Sequence, residues 1–124
     1  MCETATPDEA DAMSYDLYRE GYYYYGRDCA HPGSTFSYTV SGLIELAAFD
    51  ARQGAEFIDV PLLMMMGSRA DTGYMTIDCY EGAVNAPHRA LIEIPGATHI
   101  QTYWVPEYVQ QATDHLVKFF GQYL

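Results

Sequence analysis

Apolar residues in this chain fall into two kinds of run, and the difference between them predicts the order of its elements. The stretch Val60-Pro61-Leu62-Leu63-Met64-Met65-Met66 is short, almost unbroken, and closed by Gly67-Ser68-Arg69-Ala70-Asp71. Such a run predicts a strand covered on both faces that ends at a polar loop. Ala90-Leu91-Ile92-Glu93-Ile94 is a second run of the same kind. Its exit, Pro95-Gly96-Ala97-Thr98-His99, delivers a histidine where the first delivers Asp71. A parallel pair would place both side chains on one rim, at the carboxyl ends where open α/β sheets collect their chemistry.

Elsewhere the spacing is helical. Thr6-Pro7-Asp8-Glu9 predicts a helix start, with Thr6 as N-cap, Pro7 in the first turn and Glu9 completing a capping box. The helix is expected to run to about Gly21, and its sparse apolar positions (Ala10, Met13, Leu17) make it an amphipathic surface or lid helix. Tyr22-Tyr23-Tyr24-Tyr25 then passes into a loop from Gly26 through His31, Pro32 and Ser34. Ser41 to Ala51 predicts a more apolar helix packed on the body. Thr76 reads as the N-cap of a short helix through Ala83, with Asp78 in its first turn. From Pro106-Glu107, the positions Tyr108, Val109, Ala112, Leu116, Phe119 and Phe120 predict an amphipathic helix that runs close to the C-terminus and covers the sheet. The second half of the chain therefore alternates as an α/β pattern.

Bulk properties narrow the function classes. A length of 124 residues fits one domain or part of one, and 49% hydrophobic content excludes a disordered composition. With 17 acidic against 6 basic residues, a net charge of −11 excludes nucleic acid and anionic membranes as partners. Cys2, Cys29 and Cys79 are odd in number, far apart and in no C-x-x-C pair, so neither a disulfide framework nor a zinc site is indicated. That usage points to a reducing, cytoplasmic setting. There is no charged-then-apolar leader and no apolar run approaching the ~20 residues of a membrane helix. Met64-Met65-Met66 is core strand and no metal box, because consecutive strand residues face opposite ways.

The candidate chemistry lies in the two loops. Asp71 and His99 are two-thirds of a nucleophile–histidine–acid triad, in the chain order acid then histidine. Asp71 is preferred as the acid because it leaves its strand sooner. Asp78 is the alternative, otherwise explained as complementing a helix dipole. Tyr22, Tyr23, Tyr24 and Tyr74 offer apolar faces with hydroxyl handles, suited either to an aromatic pocket or to packing between lid and body. His31, His88 and His115 read as surface or packing histidines, and Cys79, within a helix, as a packing cysteine.

Pro61-Leu62-Leu63-Met64-Met65-Met66-Gly67-Ser68-Arg69-Ala70-Asp71-Thr72, then Pro95-Gly96-Ala97-Thr98-His99-Ile100, Tyr103, Pro106-Glu107-Tyr108-Val109 and Leu116-Val117-Lys118-Phe119-Phe120 resemble the C-terminal portion of α/β-hydrolases. The closest group is dienelactone-hydrolase-like, related to the Xaa-Pro-peptidase-like hydrolases. Upstream, His31-Pro32 and Phe49-Asp50 look like the inserted lid region. The resemblance implies a lid-like helical part over 1–55 and a β-α-β-α part of the core over 56–124. It also implies His99 as general base and Asp71 as its acid, acting on an ester, lactone, thioester or amide without a cofactor.

The departure from the pattern is the nucleophile. No G-x-S-x-G-like elbow and no early oxyanion loop occurs, and the local echoes Gly33-Ser34 and Ser41-Gly42 follow no buried strand. A complete sheet of this kind would need roughly twice the length, at about 30 residues per βαβ unit. The expected partners are therefore an N-terminal hydrolase portion, or a second copy, across an unpaired strand edge, with a small ester- or amide-like substrate once the site is complete. A non-catalytic interaction module is the alternative.

Overall fold

The computed structural model describes residues 5–33 and 39–124, so Cys2 and Ser34 lie outside the described residues. The architecture is mixed α/β. Seven α-helices and one parallel strand pair are present among those residues. At the start, α1 (Pro7–Asp11) carries the expected cap: Thr6 Oγ1 accepts from the Glu9 N–H, and the Glu9 carboxylate accepts from the Thr6 N–H at 2.7 Å. The Thr6 N–H and, after it, the Thr6 hydroxyl donate to the Glu9 carboxyl and hold it below its ordinary pKa.

The single helix expected to Gly21 is instead two. α1 stops at Asp11, and α2 (Asp16–Tyr23) begins anew and continues as a π-helical turn over Tyr24–Asp28, so the predicted loop at the tyrosines is helical. Tyr15, at the N-cap of α2, offers no side-chain cap. Asp71, distant in sequence, takes the Leu17 N–H at 3.0 Å in its place. A free helical N–H satisfied from another element fixes where a helix starts, and no local pattern reveals it.

α3 (Val40–Ala48) is capped by Thr39, whose Oγ1 accepts from Gly42 N–H at 3.1 Å. Its predicted packing on the body is not found: Val40 is 82% exposed, and Ile44 and Phe49 are each 73% exposed. The short α4 (Arg52–Ala55) packs on α5 instead and buries Ala55.

β1 (Leu62–Gly67) and β2 (Arg89–Ile94) pair in parallel, Leu62 opposite Arg89 and Gly67 opposite Ile94, with α5 (Gly73–Gly82) between them in sequence. The two helices that cover the strands approach from opposite faces, since successive strand residues alternate. Met66 meets α5 at Gly73, while Leu63, Ala90 and Ile92 face Phe119 of α7 (Pro106–Tyr123). β1 is half-buried along Leu62–Met66 and not covered on both faces as its sequence predicts. A strand in a two-stranded sheet keeps one edge open, and no strand among the described residues fills it. The helix expected from Thr76 begins earlier, at Gly73, so Asp78 sits mid-helix and is not a first-turn acid. A further short helix, α6 (Gln101–Trp104), follows the histidine loop.

Deepest burial concentrates at and just beyond the end of β2. Ile94, Ala97, Thr98 and Ile100 are all essentially inaccessible, within one short stretch around His99.

Candidate functional site

The two loops that leave the carboxyl ends of β1 and β2 are tied to each other by main chain. Ser68 N–H donates to Ile94 O at 3.0 Å, Arg69 N–H to Ala97 O at 2.9 Å, and Gly96 N–H to Ser68 Oγ at 2.9 Å. Gly67 permits this. A Cβ there would stand 2.3 Å from Ala97 O and 2.9 Å from Thr98 O, closer than any side chain tolerates, so only glycine lets the second loop lie across the end of β1. Gly96 supplies the matching turn with φ +79°.

α2 locks the rim from above. Besides the Leu17–Asp71 contact, Thr98 Oγ1 donates to Glu20 Oε2 at 2.5 Å. The lid-like N-terminal part thus joins the rim through one residue of each loop.

His99 sits between two hydroxyls. Its Nδ1 lies 2.6 Å from Thr72 Oγ1, and its Nε2 is hydrogen-bonded to the Tyr103 hydroxyl one helical turn on. Burial, and then the neighbouring Tyr25 and Tyr24, push the Tyr103 phenol above its ordinary pKa. Each of the two hydroxyls can donate or accept, so the pair satisfies either neutral tautomer of the imidazole. With the proton on Nδ1, Nε2 is the basic nitrogen, the arrangement a general base requires.

Asp71 is close in sequence to that contact but makes no hydrogen bond to His99. Its Oδ2 serves α2, and its Oδ1 is buried without a partner. A buried, unsatisfied carboxylate oxygen is costly and uncommon in native structures. Asp78 is turned elsewhere: Arg52 Nη1 reaches its Oδ2 at 3.4 Å, while Arg52 also forks onto Asp50 at 2.8 Å. Nothing joins Asp78 to the histidine, and its mid-helix position removes the dipole explanation as well.

The four tyrosines do not line one pocket. Tyr74 borders a cavity of about 350 Å³ with Asp71, Thr72 and Tyr15. Tyr23 and Tyr24 border a separate cavity of about 100 Å³ with Trp104 and Glu20. Tyr22 packs edge-on against Tyr23, and Tyr24 reaches the rim through Tyr103, at 5.7 Å between ring centroids. A third cavity, about 140 Å³, lies beside His99 and Tyr103. It is lined by both Met65 and Met66 but by no β2 residue, so it opens along the unpaired edge of β1.

Of the other histidines, His31 accepts from Gly33 N–H within its own loop, and His88 stacks on Tyr123 at 5.1 Å. Cys29 and Cys79 are free thiols. Among the described residues no group of His, Cys, Asp or Glu is arranged to hold a metal ion, and no helix is long and apolar enough to cross a membrane.

Thr72 and Tyr103 are site residues to which the sequence assigns no role beyond their place in the resemblance. Tyr103 stands at i+4 from His99, a spacing that brings side chains together on a helical turn. Thr72 directly follows the candidate acid. No protein-family model matches the chain, and no curated protein matches it.

Proposed function

We propose that this chain contributes the histidine and the acid of a serine-type hydrolase of the α/β-hydrolase kind, acting on an ester, lactone, thioester or amide, with the nucleophile supplied from outside these 124 residues. The observation that carries the proposal is the rim itself. Loops from adjacent parallel strands are cross-bonded, His99 is held through both ring nitrogens, and the Asp71 carboxylate beside Thr72 keeps one buried oxygen unused.

In the completed site, a nucleophile hydroxyl takes the place of Tyr103 at Nε2. His99 removes its proton there and returns it to the leaving group. Asp71 Oδ1 accepts the Nδ1 proton in place of Thr72, and its charge stabilises the imidazolium as that forms. The open edge of β1 beside the His99 cavity is where further strands of such a sheet would join.

A non-catalytic role is the alternative, favoured by one observation: both ring nitrogens of His99 are already occupied by hydroxyls of this chain. The test is fluorophosphonate labelling together with a broad ester-hydrolysis screen, on the chain alone and on the chain combined with the elbow-bearing polypeptide encoded upstream or in a partner. The chain alone is expected to stay unlabelled and inactive, and the combination to hydrolyse in a His99-dependent manner. Stoichiometric labelling of Ser34, Ser37 or Ser41, or a combined activity indifferent to His99→Ala, overturns the proposal.

A further inference from the structure

A small cavity of about 100 Å³ lies where α2 and its π-helical turn meet the end of α6. Its lining is Glu20, Tyr23, Tyr24, Asp28, Cys29 and Trp104. Glu20, Tyr23 and Tyr24 stand at i, i+3 and i+4, so one helical face supplies a carboxylate and two rings, to which α6 adds the Trp104 indole. No lysine, arginine or histidine lines it.

The two carboxylates differ in what they already hold. Asp28 is paired with Arg27 at 3.0 Å, and the same guanidinium lies 4.6 Å from the Tyr23 ring centroid, so Asp28 and one face of Tyr23 have their cation. Glu20 has none. Its Oε2 accepts from Thr98 Oγ1 at 2.5 Å, and Thr98 is 1% exposed, which fixes the carboxylate in place. Its Oε1 makes no hydrogen bond, and the group no ion pair, among the described residues. The cavity also lies toward the carboxyl end of the helical run from Asp16 to Asp28, where the dipole favours positive charge. A half-buried, positioned carboxylate without a counter-ion, set among aromatic rings, attracts a cation.

The lining also selects the kind of cation. Calcium or magnesium takes about six or more oxygen ligands, which two carboxylates do not supply, and among the described residues no group of His, Cys, Asp or Glu is arranged to hold a metal ion. A primary ammonium is strongly hydrated and needs acceptors for three N–H groups, whereas most of this wall is ring. A quaternary ammonium carries no N–H and is held by aromatic faces without hydrogen bonds. The volume suits one such head group and falls below the about 300–1,000 Å³ typical of sites for larger ligands.

We propose that this cavity binds a quaternary ammonium head group, with its methyl groups against Trp104 and Tyr24 and its charge toward Glu20. The proposal does not rest on the hydrolase reading, since neither His99 nor Asp71 lines the cavity.

Trp104 is the only tryptophan and is 55% exposed, so its fluorescence reports on the cavity. The test titrates the full chain with choline and with 3,3-dimethylbutan-1-ol, an uncharged molecule of the same shape, followed by tryptophan emission and calorimetry. Choline is expected to bind saturably, one per chain, with a change in emission, and the alcohol to bind about tenfold more weakly or less. Glu20→Gln keeps an acceptor for Thr98 while removing the charge, and should weaken choline binding about tenfold. Trp104→Leu, at an exposed position and read by calorimetry, should weaken it about fivefold or more, the scale of one cation–π contact. Phosphatidylcholine vesicles present the same head group: choline binding without co-sedimentation of the chain identifies a free ligand, and co-sedimentation that choline competes away identifies a lipid. Equal binding of the alcohol, choline binding indifferent to either variant, or no saturable binding would each overturn the proposal.

Discussion

α3 is built from a more apolar sequence than the rim above the strand pair, yet the rim is the buried one of the two. α3 carries Val40, Leu43, Ile44 and Leu46 with Glu45 as its one charge, yet all four apolar residues are exposed. The rim contains loops, serine, threonine and histidine, yet Ala97, Thr98 and Ile100 are inaccessible. Hydrophobicity does not decide between them. The rim is held by bonds between residues far apart in sequence, Arg69 to Ala97, Leu17 to Asp71 and Thr98 to Glu20, whereas α3 has a local cap at Thr39. A helix of 9 residues is marginal by itself in water, and burial of a face normally stabilises it. α3 thus leaves its apolar face open, while the rim is fixed by bonds that span the chain, with the Asp71 Oδ1 oxygen its one unsatisfied atom among the described residues.

The largest effect that would sharpen this contrast is on chemistry. With the elbow-bearing part supplied, His99→Ala should lower kcat by about three orders of magnitude or more, the scale of losing a triad member. Asp71→Asn should cost less, and Asp78→Asn should cost almost nothing, because Asp78 is engaged with Arg52. Steady-state rates on a common ester check all three. If Asp78→Asn, correctly folded, proves the more damaging carboxylate change, the acid assignment moves to Asp78.

Next comes backbone proximity. Gly67→Ala should destabilise the chain by about 3 kcal/mol, at the upper end for overpacking, because the obstructing atoms are main chain that cannot swing aside. Gly42→Ala in α3 meets only the Thr39 hydroxyl, at 3.3 Å, and should stabilise by up to about 1 kcal/mol through helix propensity. Urea unfolding of the two variants makes the comparison directly. Equal effects would mean that the rim is no more tightly determined than α3.

The sequence carried the elements that depend on local signals. Pro106 at the first turn and the spacing Tyr108, Val109, Ala112, Leu116 placed α7, and the run Leu62 to Met66 closed by Gly67 placed β1. What it did not carry were the choices made between distant segments. α2 starts where Asp71 meets Leu17, α5 starts at Gly73 against Met66 and not at the better-looking cap Thr76, and the tyrosine run stays helical with Tyr24 and Tyr25 against Tyr103. At the site, the loops bearing Asp71 and His99 were legible from strand ends. The hydroxyls that hold the imidazole were not, since Thr72 and Tyr103 become its partners only when the two loops are crossed.

Smaller effects separate side-chain contributions. Thr98→Val removes the hydroxyl that serves Glu20 inside the rim and should cost about 1–2 kcal/mol, measured by urea unfolding. Alkaline pH should act on the same side of the molecule. Tyr103 and Tyr24, chiefly through burial, and Tyr23, chiefly through its hydrogen bond to Asp11, have phenol pKa values raised above the ordinary value. A phenol raised in the folded state holds its proton longer there than when unfolded. The stability it contributes is full below the unfolded value near 10 and is lost as pH climbs through the folded value. The difference in stability between the parent chain and Tyr103→Phe should therefore change above about pH 10 and stay flat below it. A flat difference throughout would place Tyr103 in an ordinary solvent setting.

The smallest expected effect concerns the open edge of β1. Leu62 N–H donates to His88 O and Ser68 N–H to Ile94 O, so the even-numbered amides from 62 to 68 point toward β2. The amides of Leu63 and Met65 point to the edge that no described strand occupies. In hydrogen exchange on the monomeric chain, Met64 and Met66 should be protected and Leu63 and Met65 should exchange much faster. A flat apolar edge is a template for pairing, and the net charge of −11 opposes loose aggregation without blocking a specific contact. Sedimentation at increasing micromolar concentration should therefore show association, and protection of Leu63 and Met65 should rise with it. Ile44→Glu, already exposed in the parent, should change unfolding free energy by less than about 0.5 kcal/mol, as surface substitutions do. If that variant abolishes association while Leu63 and Met65 still exchange freely, α3 is the contact surface and the edge is idle. If Leu63 and Met65 are as protected as Met64 in a sedimenting monomer, the edge is covered from within the chain, and it is not the place where the rest of a sheet would join.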